Sequence, residues 1–308
     1  MLSNIAPAKT YSDTTLSVLL AFSAAAWGVY WYPLRTIEEV GITGSWAVVY
    51  FNVCPLLVLC PLLILHWRKL LGMFWPTLTA AVMIGLAFTF YANGLVETTV
   101  IRATMLYYLT PVWSTILGVL WLSEKLTRAR IVAIVVAFFG LFLLLYDDGS
   151  STHPINIGDL YSLLSGVFWA FGIATLNRWP RIPIVPLATI IFIATTGFSL
   201  VFAMGLYADP VPQVELLQQT FITAAFWSVF VLLPCFCIIF RISQVLFPGR
   251  VGILTMTEVI VAVISASILL PEESMQLLQW VGAAAIVLAG LVEVVFGYSR
   301  SSVSVANT

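Results

Sequence analysis

Arg102, Glu258 and Arg250 are charged residues set in stretches of sequence otherwise apolar enough to lie in a bilayer. On insertion scales, a charge at the centre of a spanning helix costs roughly 2.5–3.5 kcal/mol unless it is paired or hydrated. Each therefore needs a reason to be there. Arg102 opens the stretch RATMLYYLTPVWSTILGVLWLSEK and is expected in the outer third of its helix. Two readings fit it: its long stem snorkels to the headgroups, or its guanidinium faces an aqueous cavity and pairs an anionic group of a solute. Thr110 and Trp113 follow at spacings that put them on the same helical face, as further candidate solute contacts. Arg250 holds the corresponding place in a later stretch, at the cytoplasmic mouth, where snorkelling competes with solute binding. Glu258 lies eight residues beyond Arg250, roughly 12 Å deeper at about 1.5 Å per residue, close to the midplane. A carboxylate cannot snorkel that far. It is a counter-charge for a cation or ammonium, a proton carrier, or a structural hydrogen-bonding group.

Aromatic residues supply a second set of candidates. Ser23, Trp27, Tyr30, Trp31 and Leu34 share one helical face, and Ser165, Trp169 and Ile173 repeat the theme later. Trp27, Tyr30 and Trp169 are candidate walls of a solute vestibule. Trp31 and Tyr32 sit where an outer aromatic belt is expected. The pairs Ala24/Gly28 and Gly166/Ala170 are small residues four apart, a pattern that lets helices pack closely. Pro111 and Pro234 fall inside apolar stretches and mark kinks or hinges. Cys54, Cys60, Cys235 and Cys237 are expected buried in helices, with no disulfide or zinc site implied. Glu293 reads as an interface carboxylate, and neither His66 nor His153 invites a catalytic role.

The elements that must position these residues follow from composition. Of the 308 residues, 61% are hydrophobic and 9% charged, and mean hydropathy is +1.04, so the chain is an integral membrane protein. Net charge is −1 and the basic residues are scattered, which excludes a nucleic-acid surface. Bilayer-spanning helices need about 20 apolar residues, because backbone polar groups must be satisfied within the segment. Ten such spans are expected, near 14–34, 46–66, 73–93, 98–121, 129–146, 158–178, 184–207, 217–241, 250–270 and 277–297. The first reads as a spanning helix and not a cleaved signal peptide. With the N-terminus inside, Lys9, Arg68, Lys69, Lys125, Arg128, Arg130, Arg178, Arg181, Arg241, Arg250 and Arg300 fall on the cytoplasmic side. Only Arg35 and Arg102 then face outward, as the positive-inside rule requires, and both termini are cytoplasmic.

Residues 102–125 recur without gaps at 250–273. Arg102 matches Arg250, Leu106 matches Leu254, Thr110 matches Glu258, Ile116 matches Ile264 and Glu124 matches Glu272. Ser23 and Trp27 likewise match Ser165 and Trp169. The chain reads as two homologous halves, 1–147 and 148–308. Five helices per half is an odd number, so the second half enters the membrane with opposite polarity. Inverted repeats place a site at the midplane and expose it alternately to each side.

AAAWGVYW and SGVFWAFG at the start of each half, with WLSEKLT and LLPEES closing a later helix, resemble the EamA-type transporters of the drug/metabolite transporter superfamily. The run LTPVWSTILGVLWLSEKLTRARIVAIVVAFFG carries that family's Pro-containing fourth helix, acidic turn, basic residues and Gly-containing fifth helix. The second copy departs from it, with Glu258-Val259 where an acidic-Pro pair is common and Pro271 in place of a small residue. The resemblance implies fold and transport, with export favoured, and leaves the substrate open. Aromatic faces with one deep carboxylate and one membrane arginine suit a small amphiphilic or zwitterionic, amino-acid-like metabolite. A vitamin, a nucleotide-like solute or a quaternary amine, and import in place of export, are the alternatives. The expected partners are that solute, the lipid bilayer and a coupling proton or ion, with no cofactor. The rival class is a membrane-embedded enzyme or assembly protein. HExxH and GxSxG are absent, and the Asn156–Asp159 run lacks the first glycine of a Gly-x-Gly-Asp protease motif.

Overall fold

Local sequence signals start the helices where they begin. The computed structural model describes residues 12–121, 127–146, 154–179, 181–246, 251, 254–270 and 275–296, and among these every regular element is helical. Helix α1, Asp13–Trp27, opens on Ser12, whose hydroxyl accepts from the Thr15 amide at 3.2 Å. It turns at residues 28–30 and resumes as α2, Trp31–Glu39, so the first expected span is bent and runs on to Glu39. Helices α3, Ser45–Val53, and α4, Leu56–Gly72, meet at Cys54-Pro55 with a bend of 48°. The central helix α5 spans Phe74–Glu97. Then come α6, Val100–Tyr107; α7, Thr110–Trp121; α8, Arg128–Leu144; α9, Ile157–Arg178; and α10, Ile184–Val201. Helix α9 starts with a capping box, in which the Asn156 side chain accepts from Gly158 N–H and Asp159 accepts from Asn156 N–H. The last four are α11, Val214–Ala225; α12, Leu233–Ser243; α13, Thr257–Leu269; and α14, Leu277–Phe296.

Five segments among the described residues are long and apolar enough to cross a bilayer: Thr14–Glu39, Phe74–Glu97, Ile157–Arg178, Ile184–Leu206 and Val214–Ser243. The bent α3–α4 pair makes a sixth if it counts as one span. The remaining apolar helices are shorter, and the two segments expected at 98–121 and 250–270 are interrupted in their middles. Exposed side chains such as Leu65, Trp75, Ile222 and Phe230 give the bundle an apolar outer surface. That is the surface of a multi-pass membrane protein.

Helix α5 is the pivot, packing on α9, α10 and α6. Helix α14 packs on α8, and α1 packs on α12 and α13. Small residues permit these crossings. A Cβ at Gly140 would stand 2.7 Å from the Gly282 carbonyl oxygen, and one at Gly166 2.8 Å from that of Tyr107. A Cβ at Gly28 would collide with the Glu258 carbonyl oxygen. Gly28 and Gly166 thus do what their place in the small pairs implies. Two π-helical segments, Phe202–Leu206 and Phe226–Leu232, widen the C-terminal end of α10 and the join of α11 to α12. Pro234 comes directly after the second, in the first turn of α12.

Candidate solute-binding site

Proline chemistry explains the first break. Pro111 has no N–H to offer the carbonyl one turn back, that of Tyr107, so the helix stops at Tyr107 and restarts at Thr110. The Thr110 hydroxyl takes over, donating to Tyr107 O at 2.6 Å. In the second half, residues 254–255 are helical, Met256 forms a turn and α13 begins at Thr257. Under the offset that sets Arg102 against Arg250, Met256 is the counterpart of Tyr108 and Thr255 that of Tyr107. The Thr255 carbonyl also accepts a hydroxyl, this time from Tyr108 of the other half at 3.1 Å. Glu258 lies in the first turn of α13, at the positive end of its dipole.

The two breaks are packed crosswise. Gly28, at the end of α1, lies against the backbone at Glu258 and Ala262, while Gly166 of α9 lies against Tyr107, Thr110 and Trp113. Each half therefore sets the small residues of its Trp-bearing helix against the broken helix of the other half. A closed circuit of aromatic rings fills the space between. Trp27 stacks on Tyr30 at 5.3 Å, Tyr30 meets Tyr91 at 6.4 Å, and Tyr91 meets Tyr107 at 4.9 Å. Tyr107 meets Trp169 at 6.1 Å, Trp169 meets Phe88 at 5.9 Å, and Phe88 returns to Trp27 at 5.1 Å.

Glu258 is 8% exposed, interacts with Tyr108 and lies within electrostatic reach of Tyr91 and Tyr107. Its Oε1 is buried without a hydrogen-bond partner, and so is Nε1 of Trp113. A buried polar atom left unpaired costs about 1–3 kcal/mol, which is why such atoms gather where a ligand group completes them.

The structure brings Trp27, Tyr30, Trp169 and Glu258 into one region, with Thr110 and Trp113 on the adjoining half-helix. Thr110 is engaged with the broken helix itself. Tyr30 accepts a hydrogen bond from Asn52 at 3.4 Å. Arg250 lies outside the described residues. Arg102 stands apart, 6% exposed, with its guanidinium 3.3 Å from the Asp159 carboxylate and 3.3 Å from the Pro154 carbonyl. In this conformation its guanidinium is held inside the protein. Asp159 also accepts from Thr98 Oγ1 at 2.9 Å, and Arg35 donates to the Thr98 carbonyl at 3.0 Å while lying 3.6 Å from Glu38. The result is a polar seal across α2, α5, α6 and α9 at the end of the bundle that also holds Glu97 and Asp209. Cys60, expected buried, is exposed on α4.

Sequence reasoning did not single out Phe88, Tyr91, Tyr107, Tyr108 or Asp159. A Tyr-Tyr pair one turn before Thr110-Pro111 was the available signal, because a proline-broken helix exposes backbone that hydroxyls can satisfy.

Comparison with known proteins agrees with this architecture. Residues 15–146 match the model of the EamA-like transporter family. Over 152 residues the chain is 26% identical to the uncharacterized transporter YojE of Bacillus subtilis (strain 168), covering 46% of this chain and 50% of that protein. Over 148 residues it is 26% identical to an uncharacterized transporter of Vibrio cholerae serotype O1 (strain ATCC 39315 / El Tor Inaba N16961), covering 45% and 48%. The match thus spans about half the length of each curated relative. A crystal structure of a protein 16% identical to the chain superposes with a TM-score of 0.58, covering 91% of this chain and 96% of that one, a likeness of fold. Over residues 15–146, then, the chain is similar to the EamA-like transporter family, as its LTPVWSTILG stretch and the basic and Gly-containing residues after it imply.

Proposed function

We propose that the protein is a secondary transporter that exports a small amphiphilic metabolite across the cytoplasmic membrane by alternating access, coupled to a proton or ion. Ten spans in two inverted five-helix halves, 1–147 and 148–308, with both termini cytoplasmic, form the scaffold of this reading. The observation that carries it is the crossed packing of two interrupted helices: each break lies against the Trp-bearing helix of the other half. Broken helices at corresponding positions are where transporters of this design bind solute, because unwound backbone and half-helix ends face the site. Rocking one half against the other would part the Arg102–Asp159 seal at the outer end and close the basic end, or the reverse.

Aromatic walls beside one buried carboxyl suit solutes that combine apolar surface with an amine, from amino-acid-like zwitterions to quaternary amines. Solute flux in sealed proteoliposomes tests the reading. Saturable movement of an amine-bearing solute, faster with an opposing proton gradient, is expected. A purified, folded protein that moves none of a broad metabolite panel in either direction would leave an assembly role as the better account.

A further inference from the structure

The proposed transport site takes amines of two charge types, zwitterions and cations, and the structure separates them. The Arg102 guanidinium, the group a solute carboxylate would seek, is held by Asp159 at 3.3 Å at the outer end, and both side chains are less than a tenth exposed. Glu258 is the carboxyl at the aromatic circuit, and its Oε1 has no hydrogen-bond partner. Around it the rings offer π faces and tyrosine oxygens, which favour positive charge. Placement at the first turn of α13 lets the helix dipole stabilise the anion.

We propose that the six-ring circuit with Glu258 is a binding site for an organic monocation, its ammonium set between the ring faces and the Glu258 carboxylate. The site discriminates against zwitterions, whose carboxylate would meet Glu258 with no guanidinium placed beside it among the described residues. This rests on the reading of the breaks as the solute site and narrows its substrate class. In this structure neighbouring rings of the circuit lie 4.9–6.4 Å apart, so the site is closed. A cation enters when the halves part.

Isothermal titration of the purified full-length protein in detergent tests the assignment with three probes that share a benzyl group. They are benzyltrimethylammonium, its neutral analogue 2-methyl-1-phenyl-2-propanol, and zwitterionic N,N,N-trimethylphenylalanine. The cation is expected to bind at least about tenfold more tightly than either of the others. In Glu258→Gln that preference over the alcohol disappears, and in Glu258→Asp it is kept in part. Equal binding of cation and zwitterion, no binding of the cation, or a preference that survives Glu258→Gln would each overturn the assignment. The comparison of probes on the unaltered protein stands even if Glu258→Gln does not fold. Flux of the labelled cation into proteoliposomes separates the two readings. Selective binding without flux sinks transport and keeps the cation site, whereas flux of the zwitterion without cation preference keeps transport and sinks the cation site.

Discussion

The hydroxyl of Tyr108 donates to the main-chain carbonyl of Thr255 at 3.1 Å, so the interruption in one half of the chain is tied to the interruption in the other. Both residues stand at corresponding breaks, and a carbonyl freed by broken helical geometry needs a donor from elsewhere. Tyr108→Phe removes that donor and keeps the ring. The expected cost is about 0.5–1.5 kcal/mol of stability, read as a lower melting temperature in detergent. An unchanged melting temperature would mean that the Thr255 carbonyl has another donor.

The Arg102–Asp159 pair makes a sharper stability prediction. Both side chains are almost fully buried, at 7% and 5% exposed, so removing one partner strands the other charge. Breaking such a pair typically costs about 3–5 kcal/mol, whereas an exposed pair is worth about 1 kcal/mol or less. Arg102→Gln is expected to lower the melting temperature strongly, and Asp159→Asn further, because Asp159 also serves Thr98 and the start of α9. Arg102→Gln combined with Asp159→Asn should cost less than the two single losses added. Strict additivity would show that the pair carries no coupling.

The proposed sidedness rests on the distribution of the basic residues. Fluorescent-protein and alkaline-phosphatase fusions ending at Lys69 and Arg181 should report the cytoplasm, and fusions at Thr43 and Asp209 the outside. An outside signal at Arg181 would undo the inverted arrangement of the halves.

Much of this was legible in the sequence, and the parts that were not share a cause. Pro111 announced a disturbance in its helix, and the small residues at Gly28 and Gly166 announced close crossings. The turn at Met256 carries no proline, so 250–270 read as one continuous helix. Phe88 and Tyr91 lie in a helix buried on many sides, where no apolar stripe distinguishes one face from another. The partner of Arg102 is 57 positions away in a different helix. A single sequence offers an expectation of the side of the membrane on which Arg102 and Asp159 lie, but not that they meet.

Glycine substitutions test the crossings directly. A Cβ at Gly28 would collide with the Glu258 carbonyl oxygen, and one at Gly166 would come within 2.8 Å of that of Tyr107, in each case backbone that cannot swing aside. Gly28→Ala and Gly166→Ala are expected to abolish flux or folded yield. Gly197→Ala is the control, since nothing lies within 4 Å of its Cβ and alanine favours a helix over glycine by about 1 kcal/mol. Normal flux in Gly28→Ala would mean that α1 and α13 do not need this close approach during the cycle.

The last prediction concerns coupling. Glu258 can hold a proton or face a cation, and holding one charge weakens the hold on the other, so a single carboxyl can exchange them across the membrane. Glu258→Gln keeps the shape and the hydrogen bonding of the protonated side chain and is permanently neutral. It therefore separates charge from structure at a residue packed against Gly28 and facing Tyr108. In proteoliposomes loaded with an amine-bearing solute, a proton gradient directed inward should speed efflux through the unaltered protein. Through Glu258→Gln, efflux should be slower and should not respond to the gradient, while the protein elutes and melts as a folded species. If the variant answers the gradient as the unaltered protein does, the proton travels elsewhere. Glu258 would then be a structural carboxyl at the start of α13.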